Sequence, residues 1–126
     1  MMVSTACEFA RHRTVYMLRP IPELKHIVPV IMGNAAVKGI NKRVSVSLDE
    51  YYERNKIAWA AQDAATKKCG VKILDTLSYL CDGQKCWGDV GGMPIYYDDN
   101  HLSERGGQLL IPLFRQMFEQ SLHADE

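Results

Sequence analysis

Residues 47–70 do most to limit what this chain can fold into. Ser47 and Glu50 stand at capping-box spacing, Asp49 and Glu50 suit the positive end of a helix, and Lys67 and Lys68 suit its negative end. Gly70 supplies the stop, because glycine takes the left-handed conformation that ends a helix without a Cβ penalty. The predicted helix carries Ala58, Ala61 and Ala65 on one face, with Tyr51 and Trp59 nearby, and so small a face suits close packing against a sheet. On either side the chain is short and β-prone. Residues 14–18 (TVYML) read as a buried strand stopped by Pro20 and Pro22, and residues 71–74 as a second strand directly after the helix.

The rest of the chain continues the alternation. Residues 23–37 keep an apolar rhythm without clear polar alternation, and Pro29 and Gly33 interrupt it, so a short broken helix or an irregular segment is expected. A polar, glycine-bearing loop, LCDGQKCWGDVGG, leads to a third apolar segment, PIYY, where Tyr96 and Tyr97 should face opposite ways. After DDNHLS comes a last helix with Leu109, Leu110, Leu113, Phe114, Met117 and Phe118 on one stripe, and Pro112 either bends it or marks its true start. Strand, helix, strand, helix is an α/β layered pattern. No repeat, low-complexity tract or linker divides it, so residues 1–126 are read as one domain.

Charge and hydropathy exclude several classes. Fifteen Lys and Arg balance fifteen Asp and Glu, and the basic residues are scattered, so no nucleic-acid partner is expected. No apolar run approaches the roughly 20 residues of a membrane helix, and the opening MMVSTACEFARHR lacks a secretory h-region. Taken alone, the chain is expected to be soluble, with neither signal peptide nor transmembrane segment.

The residues that carry chemistry are Asp98 and His101. Three apart in a turn between a strand and a helix, they let a carboxylate fix the tautomer of an imidazole whose other nitrogen faces outward, as a general base requires. The same spacing also fits a solvated turn with Ser103 as a helix cap.

YYDDNHLSERGG resembles the last sequence block of SGNH hydrolases, where the Asp and His of a catalytic triad lie in a DxxHLS segment. With VYMLRPIPEL, SVSLDEYYERNKIAWAAQDAATKKCGVKILDTLSYLC and IYYDDNHLSERGGQLLIPLF, the chain resembles, over residues 14–118, the SGNH domain fused to acyltransferase-three membrane proteins. The resemblance implies the C-terminal part of a flavodoxin-like three-layer fold, truncated at its N-terminus. It also implies a periplasmic domain whose parent transfers acyl groups onto lipopolysaccharide O-antigen or another surface glycan. Asp98 would orient the imidazole and His101 would be the base, with Asp99 the less suitable acid and no catalytic role for Ser103. The implied partners are an acyl donor, a glycan acceptor, the missing N-terminal half and a membrane domain; no cofactor and no metal are implied. Within the family, Cys81 and Cys86 look like a disulfide.

The departure is equally specific. SGNH enzymes place their serine in a GDS block after the first strand and their oxyanion-hole Gly and Asn in two later blocks, yet none of these precedes TVYML, and none of Ser4, Ser45, Ser47, Ser78, Ser103 and Ser121 stands in a GDS or GxSxG context. Gly33-Asn34 lies downstream of where the oxyanion asparagine belongs, so those donors are missing too. The serine is expected to come from sequence outside this chain. A rival from another class is a non-catalytic remnant that binds glycan or a partner.

Other residues carry weaker readings. Cys7 has basic neighbours but no glycine-rich turn, and reads as a structural or unpaired thiol rather than a nucleophile. Zinc held by Cys69, Cys81, Cys86 and His101 lacks the usual two close pairs. Trp87, rather than the core-like Trp59, is the candidate for stacking on a sugar, and Arg19 is either a ligand contact or a surface ion pair.

Overall fold

The computed structural model describes residues 2–124. Helix α1 (Met2–Ala10) precedes β1 (Tyr16–Leu18), and α2 (Val28–Val37) leads through β2 (Ser45–Ser47) into the long α3 (Leu48–Cys69). Then come β3 (Lys72–Leu74), the single-turn α4 (Leu77–Leu80), β4 (Lys85–Trp87), β5 (Asp89–Val90) and β6 (Met93–Pro94), followed by α5 (Glu104–Gln108) and α6 (Ile111–Ala124).

Helix α3 forms where its sequence signals place it. Ser47 Oγ accepts from the Glu50 amide at 3.1 Å, and Gly70 ends the helix at φ 73° while its N–H donates to the Thr66 carbonyl at 3.0 Å. Glu50 turns its carboxylate to Lys25, 3.0 Å away, so the cap couples α3 to the segment after β1. That segment is irregular as far as Ile27, after which α2 begins with Pro29 in its first turn, where a missing N–H costs no intrahelical bond.

Strands β1 and β3 run parallel, Tyr16 opposite Lys72 and Leu18 opposite Leu74, with α3 in the crossover between them. The expectation of a buried strand at residues 14–18 is corrected. Only residues 16–18 are extended, and Leu18 is exposed while Tyr16 and Met17 are half-buried, because β1 pairs on one side only in a two-stranded sheet. The cysteine segment, read as a loop, supplies a strand: β4 pairs antiparallel with β2, setting Val46 opposite Cys86, both buried. Of PIYY only Pro94 enters a ladder. Met93 and Pro94 pair with Val90 and Asp89 in a hairpin, and Tyr96 makes one isolated bridge to Leu102. The alternation survives, Tyr96 being buried and Tyr97 exposed.

The last helix is two helices. Ser103 caps α5, and Pro112 sits in the first turn of α6, so it marks a start rather than a bend. Leu110 is buried in the core with Leu24, Val28, Val46 and Ile95, and Leu113 is buried too, whereas Phe118, expected on the same stripe, is exposed. A smaller cluster of Ala6, Ala65 and Val71 packs α1 against α3 and the parallel pair, and a Cys7–Cys69 disulfide ties the same two helices. The fold therefore mixes helices with small sheets, and among the described residues the strands stand in three separate pairs rather than one layered sheet. No helix among them is long and apolar enough to cross a membrane.

Candidate functional site

The turn at residues 96–103 is built by its own backbone. The Tyr97 N–H donates to the His101 carbonyl at 2.7 Å, and the Ser103 N–H donates to the Ile95 carbonyl at 3.0 Å, closing the ends of the DDNHLS segment. Inside, Asp98 Oδ1 accepts from the amides of Asn100 and His101 at 2.8 and 2.7 Å, an Asx-type turn that fixes this carboxylate before any partner is considered. The other oxygen, Oδ2, lies 2.8 Å from His101 Nδ1.

Three tertiary hydrogen bonds hold that turn from behind. The amides of Leu24 and Val28 donate to the carbonyls of Asp99 and Asp98 at 2.7 and 3.2 Å. The buried Tyr96 hydroxyl donates to the Pro22 carbonyl at 2.6 Å. Burial pushes the Tyr96 phenol well above its ordinary value, so it stays a neutral donor. Residues 22–28, in the irregular segment between β1 and α2 and at the start of α2, thus grip the backbone of the Asp98–His101 turn.

The electrostatics suit a carboxylate–imidazole pair. Asp98 is held below the ordinary carboxylate value, chiefly by the Asn100 amide, with the ring and amide of His101 adding to the effect. An ionised Asp98 accepts the Nδ1 proton and leaves Nε2 as the basic nitrogen. The side chain of His101 is 73% exposed against 30% for Asp98, so the imidazole presents an open edge while its partner is half-buried. Such an arrangement can take a proton from a hydroxyl brought to Nε2 and return it. Asp99 contributes its carbonyl to the Leu24 bond, and Ser103 Oγ accepts from the Gly106 amide at 3.2 Å as the cap of α5.

None of Ser45, Ser47, Ser78, Ser103 and Ser121 is hydrogen-bonded to His101; Ser47 is a helix cap, and Ser121 Oγ lies 3.4 Å from the Tyr16 hydroxyl. The cysteines pair as Cys7–Cys69 and Cys81–Cys86, which leaves no thiolate for the zinc alternative or for a Cys7 nucleophile. Among the described residues no group of three or more acidic, His or Cys side chains is placed to hold a metal ion.

The remaining candidates have structural partners. Trp87 donates its Nε1–H to Asp82 at 2.9 Å, and the Arg43 guanidinium covers one face of its ring at 3.8 Å, so that face is not open to a sugar. Arg43 also pairs with the buried Asp89 at 2.8 Å. Arg19 lies 3.7 Å over the Trp59 ring and pairs with Asp63 at 2.7 Å, which decides for the ion-pair reading. Trp59 donates to the Tyr51 hydroxyl at 3.0 Å, which donates to the Pro20 carbonyl at 2.6 Å.

Sequence reasoning missed the grip of residues 22–28. Its signal was the proline pair in RPIPEL, because a proline has no N–H but keeps a carbonyl, and both Pro20 and Pro22 accept from a buried tyrosine. A family model described as the SGNH domain (fused to AT3 domains) matches residues 1–116. No curated protein and no solved structure matches the chain.

Proposed function

The chain belongs to the SGNH domain family described as fused to AT3 domains, and on that premise we propose that it supplies the acid–base half of an acyl-transfer site. The observation that carries this reading is the 2.8 Å contact between Asp98 Oδ2 and His101 Nδ1 beside an exposed imidazole edge. In the reaction, a serine hydroxyl gives its proton to His101 Nε2 as its oxygen attacks the acyl carbonyl. Collapse of the tetrahedral intermediate expels the donor's leaving group, which takes that proton. The acceptor hydroxyl then loses its proton to Nε2, attacks the acyl-serine and releases the serine oxygen, which is reprotonated. Asp98 stays ionised throughout and stabilises the imidazolium.

The serine and the oxyanion donors are proposed to come from a GDS-bearing segment that docks with this chain, and β1 and β3 then belong to a flavodoxin-like three-layer sheet. The substrates proposed are an acyl donor and a surface glycan such as lipopolysaccharide O-antigen, in the periplasm, with an acyltransferase membrane domain as the covalent partner.

The test compares the chain alone with the chain joined to a GDS-bearing segment, assayed on 4-nitrophenyl acetate and on an acetylated glycan. The chain alone should show background rates and the joined form turnover. His101→Ala should abolish that turnover, and Asp98→Asn should lower kcat by about 10²- to 10⁴-fold. Turnover in the joined form that survives His101→Ala defeats the acid–base assignment. A joined form that folds and binds glycan without turnover favours the binding-module reading instead.

A further inference from the structure

We propose that α6 is a pairing helix, along which a second copy of this chain packs antiparallel on the stripe of Ile111, Phe114, Arg115, Phe118, Glu119 and Leu122. The inward side of α6 is taken by Leu113, yet Ile111, Phe118 and Leu122 remain 48, 62 and 70% exposed beside it. With Phe114, Arg115 and Glu119 they line a shallow groove of about 340 Å³. Residues 111, 115, 118 and 122 follow the four-three-four spacing that keeps side chains in line along a helix packed at a shallow angle on another. Three large apolar side chains in one row on so small a protein form an interaction surface rather than scattered exposure.

Charge identifies the occupant. Arg115 and Glu119 flank Phe118 and form no ion pair with each other or with any other described residue. In an antiparallel pair whose twofold axis passes beside Met117, Arg115 of one copy faces Glu119 of the other, and the symmetry makes that bridge twice. The same axis leaves Phe118 offset by two residues from the second copy's Phe118 and Ile111 by one from its Leu122, within reach of such large side chains, so the apolar row meets itself while the charges pair. A lipid surface fits poorly, since α6 carries one Arg, no Lys and one Glu. Six lining side chains on each copy fall short of the roughly 20–30 residues a side of a standard stable interface, which places the association in a weak, concentration-dependent range. This inference is independent of the acid–base reading.

Sedimentation velocity of the full chain from about 10 to about 500 μM tests it by mass action. A reversible monomer–dimer equilibrium is expected, with Phe118→Ser weakening it by about tenfold or more and leaving the circular dichroism unchanged. Arg115→Glu and Glu119→Arg should each weaken it by a similar factor, and the double reversal should recover most of the loss. A chain that stays monomeric throughout overturns the proposal, as does growth beyond dimers or a dimer that survives Phe118→Ser. Single reversals that pair as well as the parent, or monomers whose α6 is covered only when lipid vesicles or a GDS-bearing segment are added, also overturn it.

Discussion

Two adjacent glycines should respond to the same substitution with opposite sign. An alanine Cβ at Gly106 would overlap the backbone carbonyl of Ile95 and press on Leu102 Cδ2, whereas one at Gly107 meets nothing within 4 Å. The Ile95 carbonyl has little room to retreat, because it accepts the Ser103 amide that closes the Asp98–His101 turn. Gly106→Ala gains about 1 kcal/mol in helix propensity but incurs overpacking of about 1–3 kcal/mol. Pushing α5 outward also weakens the Ser103 cap and the Ser103–Ile95 bond, each worth about 1 kcal/mol. The net expectation is a loss of about 2 kcal/mol, while Gly107→Ala should stabilise by up to about 1 kcal/mol. Urea unfolding followed by circular dichroism should therefore separate the two midpoints by more than about 1 M. In the joined, GDS-bearing form, Gly106→Ala should also lower turnover, because the turn that holds His101 is anchored at Ile95. If Gly106→Ala is as stable as Gly107→Ala, the contact between α5 and the chain at Ile95 is not as close as described.

Peptide mapping without reductant should recover both Cys7–Cys69 and Cys81–Cys86 after expression in an oxidising compartment. Loss of the first bridge in Cys7→Ser should destabilise by about 4 kcal/mol against about 2 kcal/mol for Cys81→Ser, because the loop it closes is far longer; equal effects would contradict the pairing. Asp82 is pulled down to about 2, first by the Trp87 indole and then by the amides of Gln84 and Lys85. A carboxylate depressed on folding contributes stability that is present above its ordinary pKa and lost as pH falls towards about 2. Trp87→Phe should raise the Asp82 midpoint in a carboxyl NMR titration, and an unchanged midpoint would deny the hydrogen bond. Asp98 is depressed as well, so the contact with His101 should persist down to pH values below the ordinary carboxylate pKa and fail only in stronger acid. His101→Ala should move the Asp98 midpoint upwards only partway, since the Asn100 amide is the larger cause.

The sequence by itself determined what depends on neighbours a few residues apart. Ser47, Glu50 and Gly70 bound α3, because a cap and a left-handed stop are satisfied within one turn of backbone, and the three-residue spacing of Asp98 and His101 put them within reach, while the structure chose a start rather than a bend at Pro112. The close Cys81–Cys86 pair belongs to the same class, with a family resemblance behind it. Tertiary structure alone decided what depends on partners far along the chain. Cys7 finds Cys69 across 62 residues, and α1 rests on α3 although neither helix names the other in its pattern. Arg43 covers the ring that spacing had offered to a sugar, because two side chains 44 positions apart are brought together only when β2 pairs with β4. The grip of residues 22–28 on the Asp98–His101 turn is of this second kind. Local spacing puts the carboxylate and the imidazole in reach of each other; long-range hydrogen bonds to carbonyls, which every residue carries and no residue type advertises, decide where the pair is held.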